Sequence, residues 1–274
     1  MRKYSIIFIT FLLSLLLLFV FSLPDRNLHF IVCDIGQGDA LLVTLGTMQI
    51  LVDGGPDKKV LSCLGKHMPF WDRKIDIVMV TNPDLDHYGG LVDVVRNYQV
   101  GTFIRPNKEG DAAGWNILLG EVNKRKIPQH FAKTGQQIRY TDLHFDILHP
   151  ASDFIASSIN EYSVVGTLSY REFDVLLTGD IMPPATNIAA SGVHSVEVLK
   201  VPHHGSKNGL TQEMLLKSDP KLALISCGRN NRYGHPHEEI LDMLAAAHVK
   251  TLRTDQDGEI EVVSDGQSFW LKAN

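Results

Sequence analysis

The segment TNPDLDHYGG, at residues 81–90, groups three side chains of the kinds that bind metal ions. Asp84, Asp86 and His87 fall within four consecutive positions, directly after an apolar run that ends at Val80. Carboxylate oxygens and imidazole nitrogens are ligands for zinc and manganese, and a strand end can present several of them together. The segment therefore predicts part of a metal site.

Other apolar runs in the chain also end in groups that could do chemistry. Taken singly, each such group fits an ordinary turn or helix cap. Their recurrence after five predicted strands indicates that they meet along one edge of a sheet, where ligands and catalytic groups often lie. These further candidates are Asp53 in ILVDGG, Asp180 in LLTGD, His203 and His204 in VPHHGS, and Asn231, Arg232, His235 and His237 in GRNNRYGHPH.

The elements that must position these groups alternate between short apolar runs and helical stretches. Runs bounded by glycine, asparagine and aspartate predict strands, and longer amphipathic stretches predict helices, so the chain is of the mixed α/β (α+β) class. Two strand-rich halves flank a more polar middle, without a low-complexity linker or a fixed-period repeat. The pattern predicts one domain over residues 25–274.

Residues 1–24 differ from the rest of the chain. Arg2 and Lys3 precede an apolar run of about 18 residues that Pro24 ends. This pattern predicts a signal peptide or a transmembrane anchor, and the flanking residues favour the anchor. Positive charge before the run favours an inner amino terminus, so the domain is expected to be extracytoplasmic, either membrane-anchored or secreted.

Composition excludes several classes of protein. With 44% hydrophobic and 21% charged residues, the chain can bury a large core and is neither disordered nor fibrous. A net charge of −5 gives no general attraction to nucleic acid. Cys33, Cys63 and Cys227 form no CxxC pair and are odd in number, so we expect buried thiols and no disulfide framework.

Taken in order, these motifs resemble those of the metallo-β-lactamase superfamily and, more narrowly, of its ComEC-like competence hydrolase domains. The resemblance covers nearly all of the chain after the leader. It implies a four-layer αβ/βα sandwich, here preceded by one hydrophobic helix, with a metal site at the rim between two sheets. It rests on DIGQGDALLV, ILVDGGP, TNPDLDHYGGL, NEYSVV, LLTGDI, LKVPHHGS and NRYGHPHEEIL.

The resemblance also implies roles for individual residues. The family's HxHxDH motif falls on Asn82, Asp84, Asp86 and His87. Asp180 matches an aspartate that bridges two metals, and His203 or His204 supplies the last histidine, with His203 preferred. Asp53 matches a carboxylate that orients the motif without binding metal. A supporting role is also expected for Asn82.

This chain departs from the family at one half of the implied site. Asn82 replaces a histidine, and the family's intermediate histidine has no counterpart near Asn160, Glu161 or Ser163. One zinc or manganese ion is therefore expected to bind firmly to Asp86, His87, Asp180 and one of His203 and His204. A second ion, which would bind to Asp84 and the shared Asp180, is expected to be weak or absent.

These residues lead to a functional hypothesis with alternatives. A metal-dependent hydrolase would cleave a phosphodiester, including single-stranded DNA, with a metal-activated water. Asp84 would hold or deprotonate the nucleophile and His235 would protonate the leaving oxygen, while Asn231, Arg232 and His237 would contact substrate. The alternatives are a hydrolase of another ester, such as a phosphocholine ester or a lactone, and a degenerate binding protein. A role in competence would require protein partners that the sequence does not identify.

Overall fold

A computed structural model describes residues 2–21, 23–110 and 112–272. Its strands are β1 Leu28–Val32, β2 Leu41–Leu45, β3 Met48–Val52, β4 Lys74–Met79, β5 Gln99–Pro106, β6 Gln129–Ala132, β7 Gln137–Tyr140, β8 Leu143–His149, β9 Val165–Tyr170, β10 Phe173–Leu177, β11 Val198–Lys200, β12 Leu222–Ile225, β13 Lys250–Arg253, β14 Ile260–Ser264 and β15 Phe269–Leu271. Its α-helices are α1 Arg2–Phe21, α2 Val60–His67, α3 Leu85–Tyr88, α4 Leu91–Asn97, α5 Ala113–Lys124, α6 Ala185–Ala190, α7 Gln212–Ser218, α8 Glu238–Ala246 and α9 Thr254–Asp257.

The strands of the described residues form two mixed sheets that pack face to face. The first sheet has the order β15-β14-β1-β2-β3-β4-β5-β6, and the second has the order β13-β12-β11-β10-β9-β8-β7. Apolar side chains from both sheets fill the space between them, among them Phe30, Val43, Phe145 and Leu168. This inner layer makes the sandwich core.

Helices cover the outer face of each sheet. Buried residues of α2, α4 and α5, such as Leu64, Val94 and Leu118, pack against the first sheet. Residues of α6, α7 and α8, such as Met214 and Leu244, pack against the second. The layers therefore run helix, sheet, sheet, helix, which confirms the predicted αβ/βα sandwich.

Most predicted elements occur close to their expected positions. In the polar middle, where the pattern predicts a helix over residues 108–126, the helix is shorter and spans Ala113–Lys124. The sequence pattern did not predict the short elements α2, α3, α6, α9, β6 and β13. Each is only four to eight residues long, which is too short to separate strand from helix without the packing around it.

The cysteine prediction is wrong for two of the three residues. Cys33, after β1, and Cys63, in α2, form a disulfide with Cα atoms 5.9 Å apart. Cys227 is a buried free thiol, as expected. The pair was missed because its members lie 30 residues apart and meet only when α2 packs on the first sheet, which no local spacing records.

Removing this disulfide is expected to destabilise the protein. Opening a closed loop of this length costs about 3–4 kcal/mol of unfolding free energy, mainly by releasing constraint on the unfolded chain. The Cys33→Ala/Cys63→Ala variant should therefore show that loss in urea denaturation, and wild-type protein should show a similar loss in reductant. If reductant and substitution both leave the midpoint unchanged, the disulfide contributes nothing to stability.

The amino-terminal residues form α1, over Arg2–Phe21. Among the side chains that the structure describes, no helix combines the length and the apolarity needed to cross a membrane. The predicted leader over residues 1–24 includes positions 1 and 22, which lie outside the described residues. It stays a prediction.

Candidate metal centre

The candidate groups follow parallel strands that end at the same rim of the sandwich. β3 and β4 pair in parallel, so Asp53 after β3 lies beside the segment that follows β4. In the second sheet β10, β11 and β12 are also parallel, which brings Asp180 and the VPHHGS segment together. Carboxyl ends of parallel strands meet at one edge, as the sequence analysis expected.

Four of the predicted residues converge at this rim. One ligand atom from each of Asp86, His87, Asp180 and His204 lies within 4.8 Å of the corresponding atoms of the others. His87 Nε2 is 3.2 Å from Asp180 Oδ2, and His204 Nε2 is 3.4 Å from Asp180 Oδ1. His204 Nε2 is also 3.5 Å from Asp86 Oδ2. Asp180 therefore touches both histidines of the group.

The group has the dimensions of a tetrahedral metal site. Metal bonds of 2.0–2.1 Å to nitrogen and oxygen place ligand atoms about 3.3 Å apart, close to the distances given above. His87 Nε2, His204 Nε2 and Asp180 Oδ1 are buried and make no hydrogen bond with any described residue. Buried polar atoms without partners are costly, and a divalent cation would satisfy all three. The four residues therefore fit one zinc-like or manganese-like ion.

The charges around the group favour a cation. Burial alone would lower the pKa of His204, but the carboxylates of Asp180 and Asp39 outweigh it and raise that pKa well above its usual value. Burial likewise opposes ionisation of Asp180, yet His204 and His87 hold its pKa well below the usual range. A metal ion needs neutral imidazoles, so its binding releases protons and weakens in acid.

Asp53 lies behind His87, in the orienting position that the resemblance implied. Its Oδ2 is 2.8 Å from His87 Nδ1, and its carboxylate accepts hydrogen bonds from the backbone and the hydroxyl of Thr81. Both Asp53 and His87 are fully buried. A carboxylate on one imidazole nitrogen fixes the ring and leaves the other nitrogen for a metal.

A second supporting carboxylate, Asp39, was not predicted. Asp39 is buried, and its Oδ2 lies 2.8 Å from Nζ of the fully buried Lys200. Its Oδ1 is 3.4 Å from His204 Nδ1. Burial raises the pKa of Asp39, but Lys200 and His204 outweigh that effect and keep the carboxyl ionised.

Asp39 also supports the ligand on the other side of the site. The Asp39 N–H donates to the carbonyl of Asp86 at 3.1 Å. The close approach requires Gly38, where a Cβ would lie 2.2 Å from the Asp86 carbonyl oxygen. The motif GQGD, quoted as part of the resemblance, therefore has a structural function: it holds the backbone of one ligand and the imidazole of another.

The two adjacent histidines have different positions. His204 belongs to the four-residue group and is buried, and its Nδ1 is 2.9 Å from the carbonyl oxygen of Ser226. His203 lies nearer the surface, with Nε2 3.8 Å from Asp180 Oδ2. The geometry thus favours His204 as the ligand, against the preference for His203 in the sequence analysis. Both residues have positive φ, 51° and 55°, a turn that no sequence pattern announced.

Asn82 lies in a neutral network beside Asp180. Its Nδ2 donates to Asn160 Oδ1 at 2.6 Å and to Ser163 Oγ at 3.2 Å. Ser163 Oγ in turn accepts the Asp180 N–H at 3.1 Å. Asn160 and Ser163, which lie nearest to the position of the missing family ligand, therefore form hydrogen bonds with Asn82 through an amide and a hydroxyl.

Asp84 is not one of the four grouped residues within the described chain. Its N–H donates to Asn82 Oδ1 at 3.2 Å. The Asn82 side chain therefore accepts a hydrogen bond through Oδ1 and donates through Nδ2. Its predicted roles as ligand and catalytic group stay predictions. Neutral groups around Asn82 offer little affinity for a second cation.

Restoring ligands to this neutral network is expected to create a second metal site. The Asn82→His/Asn160→His variant replaces two amides that contact one another with two imidazoles next to Asp180. Metal content should rise from about one towards about two zinc ions per chain, measured by mass spectrometry after dialysis against zinc. Asn123→His/Asn187→His, on α5 and α6 away from the rim, is the control. A variant that still binds the wild-type amount would contradict the weak-site interpretation.

The loop over residues 228–237 borders the group and contains residues that were predicted to contact substrate. The Asn231 amide donates to the carbonyls of Gly228 and His235 and accepts the N–H groups of Tyr233 and His235. These four hydrogen bonds hold the loop, and the predicted contact of Asn231 with substrate stays a prediction. Arg232 is exposed, with its guanidinium 4.8 Å from the Tyr233 ring centre and donating to the Tyr233 hydroxyl at 2.6 Å, and its predicted contact with substrate also stays a prediction.

His235 and His237 extend the histidine cluster outwards. The His235 ring lies 5.5 Å from that of His203, and burial followed by the charge of His204 lowers the pKa of His235 to about 4. The predicted role of His235 as a proton donor to the leaving oxygen stays a prediction. His237 Nδ1 accepts the Lys207 N–H at 3.3 Å, a local contact at the start of α8.

Comparison with known proteins agrees with this geometry. The family model described as the metallo-beta-lactamase superfamily matches residues 33–229. ComE operon protein 3 of Bacillus subtilis is 29% identical over 265 residues, covering 89% of this chain and 34% of that protein. Recombination protein 2 of Haemophilus influenzae is 27% identical over 233 residues, covering 84% of this chain and 28% of that protein. The chain thus spans about a third of the length of these relatives.

A solved structure supports the fold. The metallo-beta-lactamase fold protein YhfI from Bacillus subtilis superposes with a TM-score of 0.59 at 11% identity, covering 89% of this chain and all of that one. The expected resemblance to ComEC-like competence proteins is confirmed by the curated relatives. Because the family match covers most of the chain and the observed layers are those of its fold, this protein belongs to the metallo-β-lactamase superfamily.

Proposed function

We propose that this protein hydrolyses phosphodiesters with the help of one divalent metal ion. The observation that carries the proposal is the convergence of Asp86, His87, Asp180 and His204, whose ligand atoms lie within 4.8 Å of one another and include buried atoms of His87, His204 and Asp180 without a hydrogen-bond partner among the described residues. When bound, such an ion lowers the pKa of water and stabilises negative charge on phosphoryl oxygens. The family consists mostly of metal-dependent hydrolases, which agrees with the site.

The residues of this chain would prepare the site for that chemistry. Asp53 holds His87 from behind, and Asp39 with Lys200 supports His204, so both imidazoles keep their orientation. His235, whose ring lies 5.5 Å from that of His203, would protonate the leaving oxygen. Arg232, at the mouth of the site, can hold a phosphate oxygen through its guanidinium.

The substrate and location follow from other features. Two relatives are named for recombination or competence, Recombination protein 2 of Haemophilus influenzae and Competence protein ComA of Neisseria gonorrhoeae, and this supports a nucleic-acid phosphodiester such as single-stranded DNA. The Cys33–Cys63 disulfide favours an oxidising compartment, and the apolar leader favours extracytoplasmic placement on or beyond a membrane. A part in DNA uptake would require partner proteins.

Hydrolysis of simple esters by the full chain tests the proposal. Protein loaded with zinc or manganese should release p-nitrophenolate from bis-p-nitrophenyl phosphate and shorten single-stranded DNA, and chelation should stop both reactions. A metal-loaded protein that cleaves neither, but cleaves a phosphocholine ester or a lactone, would replace the proposed substrate with that ester. A protein that binds metal and cleaves none of them would be a degenerate binding member.

A further inference from the structure

We infer that a cleft beside the metal group binds the nucleoside adjoining the phosphate that is cleaved, an inference that rests on the proposed phosphodiester substrate. The cleft has a volume of about 470 Å³ and shares Asp86 with the metal group. This volume lies within the range of small-molecule pockets, about 300–1,000 Å³. A phosphate held at Asp86 would therefore place its nucleoside in the cleft.

The lining of the cleft combines an apolar side chain with groups that can stack on a flat ring. Leu85, in the lining, is 56% exposed. Tyr233 holds Arg232 in the same lining: the guanidinium lies 4.8 Å from the Tyr233 ring centre and donates to the Tyr233 hydroxyl at 2.6 Å, and the His235 ring stacks on the same tyrosine at 5.6 Å. Nucleobases stack on aromatic rings and on guanidinium planes, and every base has such a face. A stacked group of this kind fits a base better than a branched or compact group.

Two further lining residues carry groups that can bind the edge of a base and a neighbouring phosphate. Gln37 lines the cleft, and its buried Nε2 has no hydrogen-bond partner among the described residues, while its Oε1 accepts the Gly228 N–H. Lys59, also in the lining, is exposed. The unpartnered amide N–H can donate to a base carbonyl, and the ammonium can meet a phosphate.

The cleft continues into a second hollow, which suits a strand longer than one nucleoside. The two hollows share Gln37 and Lys59, and the second has a volume of about 560 Å³ and includes Arg229. Basic side chains at intervals along a groove follow a nucleic-acid backbone. The same arrangement opposes a choline head group, because the positive charge of Arg232 beside the Tyr233 ring would repel a quaternary ammonium.

The disulfide links two chain segments that line the cleft. Cys33 directly precedes the loop that carries Gln37, and Cys63 lies one turn beyond Lys59 in α2. The bond between them limits the movement of these two segments relative to each other. A pre-formed site binds its ligand with less loss of conformational freedom.

Binding of a nucleotide and of a minimal phosphate ester by the full chain tests the inference. Thymidine 5′-monophosphate or its 3′ isomer should bind at least about tenfold more tightly than methyl phosphate, since base stacking gives a gain of this size. Equilibrium dialysis with the zinc-loaded protein measures both affinities. Tyr233→Ala should reduce the preference to below about threefold, whereas Tyr233→Phe, which keeps the ring, should retain it. Tyr140→Ala, an exposed tyrosine on β7, is the control.

The outcomes separate this inference from the proposed function. Equal affinities for both thymidine monophosphates and methyl phosphate, or a preference that survives Tyr233→Ala, would overturn the nucleoside site even if phosphodiesters are cleaved. A tyrosine-dependent preference in a protein that cleaves no phosphodiester would support the nucleoside site and refute the proposed hydrolysis. Circular dichroism of each variant checks that the fold is intact.

Discussion

Replacing Asp180 with alanine is expected to reduce phosphodiester hydrolysis at least about 1,000-fold and to remove most of the bound metal. Asp180 is buried and contacts both histidines of the group, with each of its oxygens facing a different imidazole. Without it, His87 and His204 lose the carboxylate that they share, and the ion loses a charged ligand. Initial rates on bis-p-nitrophenyl phosphate and metal content measure the two effects.

The control for this substitution lies on β10, the strand that precedes Asp180. Asp174 in β10 is partly exposed, and its carboxylate contacts His194 at the surface, away from the rim. Asp174→Ala should keep the rate and the metal content within about twofold of wild type, as expected for a surface change. If Asp180→Ala behaves like Asp174→Ala, the assignment of the metal group is wrong.

Replacing Lys200 with methionine is expected to have the largest effect on stability. The Lys200 ammonium is fully buried, bound to Asp39 at 2.8 Å and to the carbonyl of Val201 at 3.0 Å. Methionine leaves the Asp39 carboxylate buried without its cation, which costs about 3–5 kcal/mol of unfolding free energy. Urea denaturation of the full chain measures this loss.

A second substitution distinguishes loss of charge balance from loss of packing. Asp39→Asn in the Lys200→Met background removes the unpaired charge, so the double variant should regain a large part of the lost stability. Lys217→Met, an exposed lysine on α7 that pairs with Glu213, should change stability by less than about 0.5 kcal/mol. A double variant no more stable than Lys200→Met would show that the pair is not coupled.

Local patterns in the sequence predicted the rim of the site well. Asp86, His87 and Asp180 follow apolar strands, and sheets formed by parallel strands bring such residues to one edge. The four-layer architecture was expected only from the resemblance to the metallo-β-lactamase superfamily. The local pattern identified Asp53 after an apolar strand, and the resemblance gave it an orienting role; Asp53 lies behind His87.

The parts of the site that sequence patterns missed are all contacts between distant segments. Asp39 precedes β2 of the first sheet and Lys200 ends β11 of the second, and neither residue alone differs from an ordinary polar residue near a strand. The different positions of His203 and His204 depend on their positive φ angles, and the hydrogen bonds of Asn231 depend on the path of its loop. A signal existed only in the GQGD motif, where a glycine three residues before β2 is typical of close backbone approach.

Metal content per chain tests the central claim most directly. The full chain, dialysed against zinc and then against metal-free buffer, should retain about one ion by mass spectrometry, and His204→Ala should lose it while His203→Ala keeps it. This result would place the ion on Asp86, His87, Asp180 and His204. A wild-type protein that retains no metal, or a His204→Ala variant that retains the wild-type amount, would contradict the account.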